Sequence, residues 1–441
     1  MSFLRRRFFS WLRGNVLRGT AHGTCNKSTR HRPAPRRRLQ VEGLEDRLTP
    51  ANTLLELDFF GNLLDSDIVD GVSGFNDDNF IIASDVANSR YIISNPGLEL
   101  ETSIPGSTGS GTSTVTIPFA VVTGQIFFLA QEGNDTLTID RSLGLFSNIV
   151  SFDGGGPATP PGDRLIITGG SAINLASGNY FNASDGILLF DSEIFVFSGL
   201  EPVDLSAIVV ANYVFNLTFN NDQAILEDEG IQGNNIVQLR SINGTFETTI
   251  FQNPTISLTI NLLDGDDTFS VGSGASAPND FSAALTVQGD DGNDTILLSG
   301  ALLLGASDAQ FSAETIAVTG SVVTTGNITA DAATVFTGTA TGLLQDNLVT
   351  LISGTSIGTF ANPIHTNANV LTPLVGTGSI FLREVDDVTL SPTSTSDGEI
   401  FVEAGGSLVA SNVVANGTGR DVRLRALTGN LTLGTITALG D

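Results

Sequence analysis

The chain has 441 residues, 41% of them hydrophobic and 15% charged, with a formal net charge of −27 and single copies of Cys, Met and Trp. Residues 1–50 hold 12 of the 20 Lys and Arg and three of the 47 Asp and Glu, leaving 8 basic and 44 acidic residues, a charge of −36, to residues 51–441. Such a body repels nucleic-acid phosphates and anionic membranes and favours cations, and with no cysteine after Cys25 it excludes disulfide frameworks, cysteine zinc sites and thiol nucleophiles.

At the N-terminus, Phe8, Phe9, Trp11, Leu12, Val16 and Leu17 interleave with Arg5, Arg6, Arg7, Arg13 and Arg18, the pattern of a basic amphipathic helix. No uninterrupted apolar run follows, so an ordinary secretory segment and a twin-arginine signal are both poorly matched. The stretch Arg36-Arg37-Arg38-Leu39-Gln40-Val41-Glu42-Gly43-Leu44-Glu45-Asp46-Arg47-Leu48-Thr49-Pro50-Ala51 ends this basic arm. It resembles the N-terminal RRR-L-x-x-E-x-L-E-D-R-x-x-P-A element, related to the LEPR-XLL type, of very large extracellular proteins of planctomycete bacteria. The resemblance implies a secreted or cell-surface destination and no particular activity. Nothing downstream reaches the roughly 18 apolar residues of a membrane-spanning helix; Pro118 to Ala130 is too short and contains Gln125.

After residue 51 the chain consists of short runs rich in Val, Ile, Thr and Phe, such as Thr114 to Val122, Thr136 to Ile139 and Ile256 to Ile260, each ended by Gly, Asn, Asp or Ser. This is strand-and-turn patterning. Gln131-Glu132-Gly133-Asn134-Asp135-Thr136-Leu137 aligns with Leu263-Asp264-Gly265-Asp266-Asp267-Thr268-Phe269, and Phe152 to Gly156 with Gly162 to Gly170 aligns with Val287 to Gly300, the first copy carrying the insert Pro157 to Pro161. Beyond about residue 311 a shorter repeat takes over, with Ile380, Ile400 and Val422 spaced by 20 and 22 residues. Periods of that size belong to stacked coils, each burying its apolar face on its neighbours. The predicted fold is therefore all-β, a parallel β-helix (β-solenoid) following the basic arm, with an antiparallel sandwich array as the alternative. Four segments are expected: the arm at 1–51, solenoid copy 1 at 52–204, copy 2 at 205–310, and coils at 311–441 that are similar to filamentous-haemagglutinin-type repeats. Gly440-Asp441 breaks the pattern without a polar cap, so the expectation is part of a longer protein whose open end invites self-association.

The acidic glycine turns carry the main chemical signal. Asp290-Asp291-Gly292-Asn293-Asp294-Thr295-Ile296 resembles the calcium-binding RTX nonapeptide G-G-x-G-x-D-x-U-x, with Asp290 departing from its second glycine. Calcium needs 6–8 oxygens, more than one turn supplies, so two sites between neighbouring coils are predicted. One uses Glu132, Asp135, Asp153 and Asp163; the other uses Asp264, Asp266, Asp267, Asp290, Asp291 and Asp294. The alternative is that Asp, Asn and Gly are there as turn formers. Gly74 to Phe80 reads as a degenerate version of the same turn, without a ligand role.

An enzyme is the rival class, since parallel β-helices host polysaccharide lyases and hydrolases working with aspartate clusters and, in the lyases, an arginine base. Arg383, Asp386 and Asp387 are the ingredients, but adjacent aspartates on a strand point to opposite faces. His365 reads as a loop histidine, since a lone imidazole builds no zinc site unaided. The expected function is a secreted or cell-surface structural or adhesin-like protein without catalytic activity, stabilised by calcium. Its expected partners are extracellular matrix, polysaccharide or other cell-surface components, and not nucleic acid.

Overall fold

The computed structural model describes residues 53–57, 63–66, 77–130, 133–155 and 161–439, all within one compact unit, Thr49–Asp441. The amphipathic arm, the export-like segment, Glu132 and most of the proline-flanked insert lie outside the described residues.

Alternation decides the local structure. In Thr136–Asp140 and Arg164–Thr168 the second and fourth residues are buried, and Leu137 and Ile139 lie opposite Leu165 and Ile167 in parallel register. With period-two side chains, a one-residue slip would turn every apolar side chain outward, so burial locks the register.

Two walls run along the fold. The first stacks Asn79–Asp85, Thr136–Asp140, Arg164–Thr168, Val203–Ala207 and Thr249–Gln252 in parallel. The antiparallel strand Ile236–Ser241 interrupts it once, joining Thr249–Gln252 to Gln223–Asp228. Parallel stacking resumes through Thr268–Val271 and Thr295–Leu298 and continues to Ile380–Glu384, Ile400–Ala404 and Val422–Ala426. The second wall stacks Leu63–Ser66, Ile126–Leu129, Val150–Asp153 and Glu193–Ser198, is interrupted by antiparallel Gly186–Phe190, and resumes through Ile173–Tyr180, Val210–Asn216, Ser257–Asn261 and Ala284–Gln288. Ala309–Val318 and Ile328–Gly338 then bend from one wall into the other at a register shift. A third wall starts at Ala301–Leu303 and Ser321–Val323.

The chain is a parallel β-helix, as its repeats predict. Among the described residues it has no α-helix, only three short 3-10 turns. Ile380 sits opposite Ile400, and Ile400 opposite Val422, so the 20- and 22-residue periods are coil lengths. Upstream, coils are longer and uneven: Thr136 stacks on Arg164 and Thr268 on Thr295, but Asn79 stacks on Thr136 across an intervening excursion. One apolar core extends from Leu55 to Ala415. Each fully buried Leu, Ile or Phe in it contributes about 1.5–3 kcal/mol, so stacked rungs, not turns, supply most of the stabilisation.

Candidate functional site

The acidic turns stack at one corner of the coils, and their geometry explains the motif residue by residue. In copy 1 the backbone N–H of Asp78 donates to Asp135 Oδ1 at 2.6 Å, and the N–H of Asp135 donates to Asp163 Oδ1 at 2.7 Å. In a second column the N–H of Asp222 donates to Asp267 Oδ1 at 2.5 Å, that of Asp267 to Asp294 Oδ1 at 2.8 Å, and that of Asp294 to Glu314 Oε2 at 2.8 Å. Each carboxylate thus takes the N–H of the coil before it. The residues immediately preceding them run a second ladder in the opposite sense: the N–H of Asn134 donates to Asp77 Oδ1, that of Gly162 to Asn134 Oδ1, that of Asp266 to Asn221 Oδ1 and that of Asn293 to Asp266 Oδ1, at 2.9–3.2 Å.

The repeated Gly-(Asn/Asp)-Asp-Thr-apolar sequence is therefore a corner unit. The first polar residue belongs to the outer ladder, the aspartate to the inner one, Thr faces outward and the apolar residue enters the core. Glycine is needed because the coils touch there. Gly265 and Gly292 have φ of 144° and 152°, and a Cβ on Gly292 would run into the carbonyl oxygen of Gly265.

Asp135, Asp163, Asp267 and Asp294 are at most 1% exposed, and the Oδ2 of each is buried without a hydrogen-bond partner. An unpaired buried carboxylate oxygen disfavours the charged form. Burial, reinforced by the neighbouring carboxylates of Asp163, Asp78 and Asp77, pushes Asp135 up to about 7. Burial with Asp222, Asp294 and Asp266 does the same for Asp267, also to about 7. Asp163 and Asp294 rise to about 6 from burial first, then from Glu201 and Asp153 around the former and Glu314, Asp266 and Asp290 around the latter.

The predicted ligand sets are divided by this geometry. Asp135 and Asp163 meet in one column and Asp267 and Asp294 in the other, each with one oxygen committed to backbone. Asp153, Asp264, Asp266, Asp290 and Asp291 are exposed. Asp153 caps its own turn by accepting from the Gly155 N–H at 3.1 Å, and Asp264 forms a parallel bridge with Asp291. The stacking partner of the first turn is thus Asp163, 28 residues on, and not Asp153. Among the described residues no three His, Cys, Asp or Glu side chains gather as a metal-holding group, and the inner columns offer far fewer than the 6–8 oxygens calcium takes.

Sequence reasoning left Asp78, Asp222 and Glu314 out of the columns. A signal existed for two of them, because Asp77-Asp78-Asn79-Phe80 and Asn221-Asp222-Gln223-Ala224 are spelled like the other corners. No family model, curated protein or solved structure matches the chain.

The rival catalytic residues point elsewhere. Arg383 is exposed and pairs with Glu403 at 3.5 Å, Asp387 accepts the N–H of Ser407 in the next coil, and Asp386 is exposed. His365, expected in a loop, lies in the strand Ile364–Val375 opposite Arg383. The strand begins at buried Ile364, directly after Pro363. Burial and the Arg383 charge lower its basicity.

Two polar features were not foreseen. Asn179, Asn216 and Asn261 form an amide ladder, each later Nδ2 donating to the earlier Oδ1 at 2.7 Å. Arg141 and Glu193 form a buried ion pair 52 residues apart, with Nε at 2.8 Å and Nη2 at 2.6 Å from Oε2.

Proposed function

We propose that this chain serves as a secreted or cell-surface β-solenoid, a non-catalytic structural or adhesin-like element that presents an acidic outer surface to extracellular matrix, polysaccharide or other cell-surface components. The observation that carries this reading is the continuity of the core: one apolar column from Leu55 to Ala415, stitched by ladders at every level. Such an assembly distributes load and surface along an axis and is suited to spacing and display. The planctomycete-like segment at 36–51 adds the destination. Among the described residues, one open groove on the solenoid is lined by Thr286, Gln288, Gln310, Ser312, Thr329 and Asp331.

Calcium enters this reading as a counter-ion on the outer turn face, where Asp264, Asp266, Asp290 and Asp291 crowd like charges together.

The test is location first. Antibody against residues 77–439 should label intact cells of the source organism or recover the chain from the medium. Signal confined to the cell interior overturns the reading, and clearance of an acidic polysaccharide by the purified chain, lost on Asp387→Asn, would favour the enzyme instead.

A further inference from the structure

We propose that the outward face of the first wall at Phe360, Phe381 and Phe401 is a stacking platform for an uncharged polysaccharide. The inference rests on the reading of the chain as a cell-surface element, and it gives that element's partner a place and a chemistry.

Register isolates the anomaly. Phe336, Ile357, Ile380 and Ile400 fill one buried slot coil after coil, and the next position along each strand is the outward one. Ala317 and Thr337 occupy it in earlier coils. Phe381 and Phe401 then occupy it side by side, both partly exposed. In the coil before them the position falls at Gly358, whose φ of 65° turns the chain away. The chain comes back with Phe360, whose ring centroid lies 6.2 Å from that of Phe381 and 5.9 Å from that of Phe401, the latter two being 6.5 Å apart. Thr359 and Asn362 exchange backbone hydrogen bonds at 3.0 and 3.1 Å, so the Phe360 ring is held at a tied turn although it is 66% exposed. A ring fixed in this way loses little freedom when it is covered.

The charges around the rings choose among partners. Arg383 lies opposite Glu403, Arg423 opposite Phe401, and Arg425 opposite Glu403 on its other side. Glu403 takes Arg425 at 3.0 Å and Arg383 at 3.5 Å, and Asp421 takes Arg423 at 2.7 Å. With Glu399 leading into the middle strand, the outward face carries three arginines against three acids, a sum of zero, on a body of −36. A polyanion meets repulsion from the body and no net attraction here. The arginine side chains remain 47–66% exposed, so their donors and the paired carboxylates border the rings, and a hydroxyl can use both because it donates and accepts.

Area chooses further. At about 150–250 Å² per ring, the three phenyl groups leave on the order of 200 Å² free, against the about 800 Å² per partner of a stable protein interface. A short run of sugar rings fits that footprint: its C–H face, partly positive, lies on the negative face of a phenyl ring, and its equatorial hydroxyls reach the guanidinium and carboxylate rim.

The test is affinity electrophoresis of the purified full-length chain through gels containing soluble β-glucan, xyloglucan, mannan or dextran, with alginate as the acidic comparison, and melting curves to show that each variant is folded. At least one neutral polymer should retard the wild type, and added salt should leave the retardation in place. Phe360→Ala should weaken it about fivefold and Phe360→Ala with Phe401→Ala should weaken it further. Phe360→Tyr, which keeps the ring, and Phe181→Ala, an exposed phenylalanine elsewhere on the solenoid, should bind like wild type. No retardation by any of the neutral polymers, retardation by alginate alone, or wild-type binding by folded Phe360→Ala overturns the proposal. So does a dimer in solution that Phe360→Ala dissolves without any glycan binding, which would give the face to a second copy. The purified chain keeps this test separate from cell labelling: a chain on the cell surface that binds no neutral glycan loses only the platform, and a chain confined to the interior loses the cell-surface reading whatever its Phe360 binds.

Discussion

Glu193→Ala should be among the most damaging single substitutions in the described chain. Both partners of the Arg141–Glu193 pair are nearly sealed, at 3% and 1% side-chain exposure. Glu193 Oε2 accepts from Nε and Nη2 of Arg141, and Oε1 accepts from the Phe146 N–H at 2.9 Å. Truncation leaves a buried guanidinium with one 3.5 Å contact to the Gly169 carbonyl and the Phe190 ring at 6.0 Å. Breaking one side of a buried pair costs about 3–5 kcal/mol. Replacing both sides, Arg141→Met with Glu193→Leu, removes the stranded charge. The residual loss should be about 1–3 kcal/mol, the cost of the Phe146 N–H left without its acceptor. Urea unfolding followed by far-UV circular dichroism measures the totals. Because a solenoid's stability is a sum over neighbouring coils, amide exchange at Phe146, Val150–Asp153 and Glu193–Ser198 should quicken selectively. A loss under about 1 kcal/mol for Glu193→Ala, or a double variant no more stable than the single one, would refute the reasoning.

Three further outcomes are expected. Gly292→Ala places a methyl against the Gly265 carbonyl and should cost about 2–3 kcal/mol, whereas Gly233→Ala, with φ of 86° and open space around it, should cost about 1–2 kcal/mol; thermal melts of the two should rank accordingly. Tyr213→Phe removes a buried hydroxyl that has no partner and should be neutral or stabilising by about 1 kcal/mol, while Tyr180→Phe breaks the 2.5 Å bond to Thr249 and should cost about 1 kcal/mol, both read from urea midpoints. Arg420→Ala, at an ion pair with 38% and 60% exposure, should shift stability by less than about 1 kcal/mol and less still in high salt; a larger effect would mean that this surface pair is coupled to packing.

Much of this architecture was legible because a parallel coil writes its period directly into the chain. Ile380, Ile400 and Val422 are in register since each fills the same inward slot one coil later. The antiparallel strands Gly186–Phe190 and Ile236–Ser241 were not legible as such. A strand's alternation is the same whichever way its neighbour runs, so Ile187 to Phe190 reads as a strand without a direction. The Arg141–Glu193 pair was equally hidden, because residues 52 apart meet only through the stacking of whole coils. The sequence pairs the Asp135 turn with Asp153 where the structure pairs it with Asp163, and side-chain direction was out of reach: Asp266 and Asp267 are adjacent, and only the pleat decides that one faces solvent and the other the coil interior.

That division between adjacent acids bears on how an acidic solenoid manages its charge. The outer aspartates, among them Asp264, Asp290 and Asp291, sit in water, where high dielectric and mobile ions screen their repulsion. The inner ones have no such relief, yet their Oδ1 atoms hold N–H groups that the corner would otherwise strand. An amide can do the same, and the Oδ1 atoms of Asn134 and Asn221 do so in the outer ladder, accepting from the N–H of Gly162 and of Asp266. Unlike these amides, the inner carboxyls can gain or lose protons. On the proposed reading, calcium and protons would act in different places. A cation added from solvent meets the outer acids and should raise stability most where they are fully ionised, at alkaline pH. A proton meets the inner column and should raise it most in mild acid. A melting-temperature surface over pH and calcium concentration should accordingly show two separable gains. If the gain from mild acid instead vanished at saturating calcium, both ions would be competing for the same oxygens, and the separation of inner from outer acids would fail.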